Sequence, residues 1–265
     1  MPVPKATLDS IRDYFYKRQT SLSFMFRYSR RKFSQAAFHR FRVEIKKLKA
    51  LIALLEEESA DFSKKKVYPP IRKLYSQAGR VRELQIEKEL IHSQTESGKL
   101  PGFFLRLQGE IQKEREAFFT IRTWKSRKKA EASLQKIAKA IGNLNEINQV
   151  EILQKNKSKI ENLVKKGIQP NNAHELRIQL KLMKNIREIV GLPTLPPNGP
   201  EEQLMKLLGD WHDLEVLVQR MNHSPWGKEL PAAEKKHLSK IIQILDFQKS
   251  NLLTEIQLKT PALLI

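Results

Sequence analysis

The stretch that decides the fold runs from residue 39 to residue 55 and reads HRFRVEIKKLKALIALL. Its apolar residues, with the phenylalanine just before it, recur at alternating steps of three and four: Phe38, Phe41, Ile45, Leu48, Ile52 and Leu55. This spacing keeps the side chains on one face of an α-helix. The stretch therefore predicts an amphipathic helix that buries one face against other helices.

The rest of the chain has the same character. Long stretches rich in Leu, Ile, Lys, Glu and Gln favour helix, and glycine and proline concentrate in breaks such as 97–102 and 191–200. Strand-like alternation is hard to find. The pattern predicts an all-α protein built of helical bundles. The predicted helices lie near residues 6–31, 35–59, 67–97, 103–140, 145–167, 172–191, 200–222 and 228–257.

A second stretch repeats the first. Residues 174–190 read HELRIQLKLMKNIREIV and align with residues 39–55 without gaps, at an offset of 135 residues. The aligned stretches share their apolar positions. They also share four identical basic residues, in the pairs His39/His174, Arg42/Arg177, Lys46/Lys181 and Lys49/Lys184.

Another pair of blocks follows in the same order. LYSQAGRVRELQI at 74–86 matches LMKLLGDWHDLEV at 204–216, at an offset of 130 residues and with Gly79 and Gly209 in register. Two blocks in the same order at near-equal offsets predict an internal duplication. The predicted architecture is two pseudo-symmetric four-helix bundles, at residues 1–141 and 145–265.

The four shared basic residues lie along one edge of each predicted helix. Positions 39, 42, 46 and 49 fall within a stripe about 80° wide and about 15 Å long, centred about 110° from the apolar face. Solvated helix faces usually alternate in sign, which gains favourable pairs at i and i+4, whereas this stripe is uniformly cationic. The pattern favours a binding stripe, although each histidine taken alone fits a packed or capping ring equally well.

The chemistry of the ligand follows from the residue types. Charged His, Arg and Lys donate hydrogen bonds without accepting any, and Arg and Lys suit phosphate oxygens. Ser34 and Asn172 are the predicted N-caps just before His39 and His174, with Glu175 completing a capping box, so the helix N-termini favour anions. The stripes therefore predict a phosphate-like polyanion as the ligand.

Composition narrows the class of protein. The chain has 265 residues, 49 Lys and Arg against 29 Asp and Glu, a net charge of +20, and no cysteine. Zero cysteine excludes disulfides, thiolate metal sites and Cys nucleophiles. No apolar run reaches the roughly 20 residues that span a bilayer, and the N-terminus lacks the apolar core of a signal peptide. We expect a cytoplasmic protein without a membrane partner, whose excess charge serves an anion.

The repeated motifs resemble those of the CHAD family, the conserved histidine α-helical domain. The family's His-x-x-Arg helix occurs here as HRFRVEIKKLK and HELRIQLKLMK, and its Leu-x-x-x-x-Gly block as LYSQAGRVRELQI and LMKLLGDWHDLEV. The resemblance implies two bundles related by a pseudo-twofold, with basic residues lining a central groove or pore. It also implies binding of inorganic polyphosphate, with localisation to polyphosphate granules as a further expectation.

The resemblance implies a set of polyphosphate-binding residues. Its core is the eight stripe residues: His39, Arg42, Lys46, Lys49, His174, Arg177, Lys181 and Lys184. Arg82 matches the family's arginine in the later block, whereas the second half has His212 there and Glu83 replaces the usual Asp. Two basic pairs at the offset of 135 extend the set: Arg30/Lys165 and Arg31/Lys166.

No catalytic residue, metal ligand or cofactor is predicted. The sequence shows no carboxylate cluster that would hold Mg²⁺ for phosphoryl transfer, and no phosphate-loop or zinc-protease motif. We expect Glu83 and Asp213 to orient neighbouring Arg and Lys side chains or to cap a helix, rather than to act as bases. Two alternatives stay open: a helical protein that binds nucleic acid, and an enzyme that hydrolyses polyphosphate or triphosphate.

Overall fold

The structure, a computed structural model, describes residues 8–96, 98–144, 147–193, 196, 199–223 and 230–264. It is 84% helical, and within those ranges it contains ten α-helices, one short 3₁₀ helix and no strand, which confirms the all-α class. The α-helices are α1 (Leu8–Phe26), α2 (Gln35–Glu58), α3 (Lys64–Val67), α4 (Pro69–Ser93), α5 (Pro101–Ile121), α6 (Trp124–Gly142), α7 (Gln149–Lys165), α8 (Pro170–Ile189), α9 (Pro200–His223) and α10 (Ala232–Lys259). The 3₁₀ helix is Thr260–Leu264. In this part of the chain no helix combines the length and the apolarity that a membrane span requires.

The single helix predicted at 103–140 is wrong, because the chain divides there into α5 and α6. Thr123 is the N-cap of α6, and its side-chain oxygen accepts a hydrogen bond from the backbone N–H of Ser126 at 3.2 Å. This bond satisfies a donor that the first turn of a helix leaves open. No glycine or proline lies between α5 and α6. The sequence therefore carries no signal that the helix is interrupted there. The short helix α3 is a second element that the sequence pattern did not predict.

Helix α1 ends at Phe26, earlier than the predicted end at residue 31. The guanidinium of Arg122 explains the early end, since it donates hydrogen bonds to the carbonyls of Met25, Phe26 and Tyr28 at 3.2, 3.1 and 2.8 Å. Carbonyls at a helix C-terminus have no partner within the helix, and Arg122 supplies one from a distant part of the sequence. The other predicted helix ends at residues 6, 97, 145 and 228 lie outside the described residues.

One of the two predicted N-caps is confirmed. The Ser34 hydroxyl accepts from the backbone N–H of Ala37 at 3.3 Å and caps α2. The assignment of Asn172 is wrong, and the capping box with Glu175 fails with it, because α8 already begins at Pro170. Proline suits a first helical position since it has no N–H to satisfy. Asn172 lies in the first turn, where its Oδ1 accepts from the backbone N–H of Gln169 at 2.8 Å.

Contacts divide the chain into two compact units. Unit 1 comprises Met1–Gln85, Ile111–Leu153 and Lys184–Thr194, and unit 2 comprises Ile86–Glu110, Gln154–Met183 and Leu195–Ile265. Each unit therefore draws on both halves of the sequence. The bundle boundaries at 1–141 and 145–265, the structural duplication and the basic groove stay predictions.

Aromatic side chains form the centre of unit 1. Phe33 is fully buried, with its ring centroid 4.6 Å from that of Phe38 and 5.0 Å from that of Phe118. Phe41 lies 5.9 Å from Phe26 and 5.7 Å from Phe118, measured between ring centroids. The apolar face of α2 is therefore buried against α1 and α5, which fixes the rotation of α2 about its axis.

A buried ion network joins α1, α2 and the end of α8 within unit 1. Arg18 is only 8% exposed, and its Nε lies 2.8 Å from the Glu44 carboxylate while its Nη1 lies 3.2 Å from that of Glu188. Lys47 Nζ contacts the same Glu188 carboxylate at 2.9 Å. Burial would raise the pKa of Glu188, but the hydrogen bonds and charges of Lys47 and Arg18 together lower it. The network keeps these charges paired where desolvation makes an unpaired charge costly.

Apolar residues of α7, α8, α9 and α10 form the core of unit 2. Leu176 and Leu180 of the second repeated stretch pack in one buried cluster with Leu208 and Trp211 of α9. Ile256 of α10 belongs to the same cluster. The apolar face of the second stretch is thereby buried, as that of the first stretch is in unit 1.

Candidate anion-binding site

The first stripe lies on α2. His39, Lys46 and Lys49 are exposed, and Arg42 is half-buried. A continuous helix places the first and last of these Cα atoms about 15 Å apart. Three of the four predicted positions therefore reach solvent from one edge of the helix, and the fourth is held against the protein.

Arg42 is held by α4. Its Cζ lies 4.7 Å from the centroid of the Tyr75 ring, and its Nη1 donates a hydrogen bond to the Tyr75 carbonyl at 3.4 Å. One turn further along α4, Gly79 makes room for the guanidinium, because a Cβ at this position would overlap Nη1 of Arg42. The Tyr75 ring, the Tyr75 carbonyl and Gly79 together hold the Arg42 guanidinium in place.

The second stripe lies on α8. His174 is exposed, whereas Arg177, Lys181 and Lys184 are half-buried. The Nε of Arg177 lies 4.0 Å from the place where a Cβ on Gly209 would stand. The arginine of the first repeated block therefore faces the glycine of the second block in both copies. Lys184 is counted with unit 1, and the other three residues with unit 2.

Two histidines meet beside the second stripe. His212 of α9 stacks on His174 of α8, with ring centroids 4.6 Å apart and ring planes tilted by 37°. Although His174 is exposed, part of its ring is shielded from water. This partial burial, and after it the positive charge of Arg177, lowers the pKa of His174 below its usual value of 6.5. His174 is therefore mostly neutral at neutral pH. A nearby anion would favour its protonated form, which would couple anion binding to proton uptake.

The other predicted residues have varied surroundings. Arg82 and His212 are half-buried, and four basic residues are exposed: Arg30, Arg31, Lys165 and Lys166. Arg30 lies 2.7 Å from the Glu116 carboxylate, and its Cζ is 5.4 Å from the ring centroid of Phe119. Lys165 ends α7, where a cation is favourable because of the helix dipole. Arg30 thus has structural contacts of its own, Lys165 has a favourable place at a helix end, and the binding role of all six residues stays a prediction.

The acidic residues of the later repeated block lie at the surface or near it. Glu83 is exposed and Asp213 is half-buried. Across the described residues, no three His, Asp or Glu side chains lie close enough together to hold a metal ion. The orienting role expected of Glu83 and Asp213 stays a prediction.

Comparison with known proteins identifies the family and the fold. The family model of the CHAD domain matches residues 27–222, a range that includes both stripes and both glycines. The chain belongs to the CHAD family. The fold is similar to the crystal structure of the CHAD domain from the plant Ricinus communis, with a TM-score of 0.76 and 14% identity over 99% of this chain and 94% of the other. It is also similar to PptA from Streptomyces chartreusis, with a TM-score of 0.66 and 11% identity over 97% and 99% of the two chains. No curated protein matches the sequence.

In this CHAD domain the first stripe is contacted by Tyr75, a residue that the motif spacing did not single out. Tyr75 stands four residues before Gly79 in the block LYSQAG, and the equivalent residue in the second block is Met205. An aromatic residue one helical turn before the glycine was the available signal. Its meaning depends on Arg42, which is distant in sequence, so only the folded chain shows the contact.

Proposed function

We propose that this CHAD domain binds inorganic polyphosphate, or a similar linear polyanion, along its two stripes and does not hydrolyse it. The carrying observation is that an arginine faces the glycine of the later block in both halves: a Cβ on Gly79 would overlap Arg42, and a Cβ on Gly209 would stand 4.0 Å from Arg177 Nε. In each copy the arginine belongs to a helix edge that carries two lysines and a histidine. An arrangement repeated in both halves supports a shared function for the two stripes.

The length of each stripe supports a polymer as the ligand. Cationic groups spread over about 15 Å of helix can contact several successive phosphates of a chain, whereas one phosphate would contact only part of a stripe. Arg offers paired donors to phosphate oxygens and Lys offers a mobile point charge. The net charge of +20 adds long-range attraction for any polyanion.

The surroundings of the first stripe favour phosphate without bases. Proteins that bind single-stranded nucleic acid stack bases on open aromatic faces. The aromatic ring beside Arg42 is Tyr75, and the Arg42 guanidinium covers one of its faces. We therefore propose that nucleic acid competes poorly with polyphosphate for this surface.

Binding without catalysis is the simplest use of these side chains. Arginine and lysine stay protonated at neutral pH, so they can stabilise a phosphate chain but do not serve as bases. Enzymes of phosphoryl transfer commonly hold a metal ion through carboxylates, and the described residues offer no such cluster. We propose that binding alone places the protein on cytoplasmic polyphosphate granules.

Calorimetric titration of the purified protein with long-chain polyphosphate tests the proposal. We expect the affinity to fall steeply with rising salt, because many cation–phosphate contacts release counterions. Arg42→Glu and Arg177→Glu should each weaken binding by about tenfold or more, since each replaces a cation at a phosphate contact by an anion. Arg40→Glu is the matched control, because Arg40 is an exposed arginine on α2 outside the stripe.

Three results would overturn the proposal. A salt-independent affinity, or an equal loss from Arg40→Glu, would mean that the stripes are not the binding site. RNA that displaces bound polyphosphate would favour the nucleic-acid alternative. Steady release of phosphate from polyphosphate with Mg²⁺, abolished by His39→Ala, would show that the protein is an enzyme.

A further inference from the structure

We propose that Tyr75 is the positioning residue for Arg42 and that it gives the first stripe an arginine oriented before the anion arrives. The inference rests on the proposed function, because the orientation of Arg42 matters only if Arg42 contacts the anion. It goes further by assigning a role to a residue outside the basic stripes.

Three contacts restrict the Arg42 guanidinium. The face of the Tyr75 ring supports the cation, with 4.7 Å between Cζ and the ring centroid. The bond from Nη1 to the Tyr75 carbonyl, 3.4 Å long, sets the direction of the group in its plane. Gly79 leaves the space that the group occupies. One N–H donor is used by the carbonyl, and the other guanidinium donors stay available for phosphate oxygens.

The Tyr75 ring is itself held in place by the packing of α4. Leu74 and Ala78, on either side of Tyr75 in this helix, are fully buried, so α4 cannot rotate without exposing them. The part of α4 that carries the Tyr75 ring and carbonyl is therefore fixed in its rotation, and it presents both groups to Arg42.

The second copy uses the equivalent position differently. Met205 stands where the first copy has Tyr75, and it is buried in the apolar core of unit 2 with Leu204 and Leu208. A thioether has no ring face to offer a cation. The packing against glycine is also looser there, because Arg177 Nε stays 4.0 Å from the place of a Cβ on Gly209. The aromatic ring at the position of Tyr75 therefore has no counterpart at the position of Met205.

The expected effect is on affinity. Ordering a long side chain on binding opposes association, and a side chain that is already ordered avoids most of that loss. Removing the support should weaken polyphosphate binding by about three- to tenfold, the range that one immobilised side chain accounts for. The charge of the protein does not change, so the dependence of the affinity on salt should keep its slope.

The test compares Tyr75→Leu, Tyr75→Phe and Met205→Leu, with long-chain polyphosphate as the ligand. Tyr75→Leu should weaken binding, whereas Tyr75→Phe, which keeps the ring face, should bind nearly as the natural protein does. Met205→Leu is the matched control in the second copy and should leave the affinity unchanged. Combining Tyr75→Leu with Arg42→Ala should add no loss beyond Arg42→Ala alone, because the ring acts through Arg42.

A readout without ligand separates this inference from the proposed function. NMR relaxation of the Arg42 Nε–H group should show an ordered side chain in the free protein, in contrast to exposed Arg40, and Tyr75→Leu should mobilise it. Equal mobility of Arg42 and Arg40, or an equal loss of affinity from Tyr75→Leu with and without Arg42, would overturn the positioning role. If the natural protein fails to bind polyphosphate, the proposed function falls, and the NMR result alone decides whether Tyr75 orients Arg42.

Discussion

The guanidinium of Arg42 occupies the space that a Cβ on residue 79 would need, so Arg42 on α2 and Gly79 on α4 fit together as a pair. The two residues belong to different repeated blocks of the sequence. Arg177 faces Gly209 in the same way in the second copy, but at 4.0 Å from the place of a Cβ. The first pair therefore tolerates no methyl group without moving the arginine, whereas the second pair leaves room for one.

The first prediction concerns these glycines. Gly79→Ala should displace the Arg42 guanidinium and weaken polyphosphate binding by about three- to tenfold. The free energy of unfolding should change by less than about 1 kcal/mol, because alanine favours helix while the displaced Arg42 loses its contacts with Tyr75. Calorimetry and thermal unfolding measure the two effects. Gly209→Ala is the control and should keep its affinity, so equal losses from both variants would contradict the prediction.

The second prediction concerns the stacked His174 and His212. The pKa of His174 is lowered in the free protein, and a bound anion would favour the protonated ring. Affinity for polyphosphate should therefore rise as the pH falls from about 7.5 to about 5.5. Calorimetry in buffers with different ionisation enthalpies should show proton uptake on binding.

Substitution of the pair should flatten this profile. The double variant His174→Gln/His212→Gln should show a weaker dependence of affinity on pH, since His39 of the first stripe is kept. His223→Gln should keep it, because His223 is exposed at the end of α9 and lies outside the stripes. Identical pH profiles for the natural protein and the double variant would rule out a role for these rings.

The third prediction concerns a buried acid away from the stripes. Burial raises the pKa of Glu87 from 4.5 to about 7, while the charge of Arg220, whose Nε is 3.1 Å away, opposes the rise and that of Glu110 adds to it. Because the folded state keeps the proton to a higher pH than the unfolded state does, the free energy of unfolding should fall by about 3 kcal/mol as the pH rises from 4.5 to 7. Denaturant titrations across this range measure the slope.

Removing the carboxylate should remove the slope. Glu87→Gln should make the free energy of unfolding nearly constant through this pH window. Glu255→Gln serves as the control, since the Glu255 carboxylate is half-exposed and pairs with Lys259 in α10. A slope that survives in Glu87→Gln would assign the pH dependence to other groups.

The fourth prediction concerns the start of α5. The Glu234 carboxylate accepts hydrogen bonds from the backbone N–H groups of Gly102 and Phe103, at 3.1 and 2.9 Å. Glu234→Ala should leave both donors without this partner and lower the free energy of unfolding by about 1–2 kcal/mol. Glu255→Ala, which removes a half-exposed ion pair with Lys259, should change it by less than about 0.5 kcal/mol. Equal destabilisation by the two variants would show that the hydrogen bonds from Gly102 and Phe103 to Glu234 contribute no more to stability than an exposed ion pair does.

Prediction from the sequence succeeded where the signal was local and periodic. The bounds of α2 and α9 agree closely with the apolar pattern, because burial of one face repeats every three or four residues. It failed at Thr123 and Asn172, where single side-chain hydrogen bonds decide how a helix begins. It also missed the end of α1, which depends on Arg122 from a distant segment.

The repeated motifs by themselves determined the all-α class, membership of the CHAD family and the identity of the basic stripes, because helical periodicity and repetition are written in the spacing of residues. Packing of distant segments decided how individual stripe residues are held. Arg42 lies over Tyr75 and against Gly79, and His174 stacks on His212, although each partner is more than thirty residues away in the chain. Orientation and pKa depend on neighbours in space, and those neighbours exist only once the helices have packed.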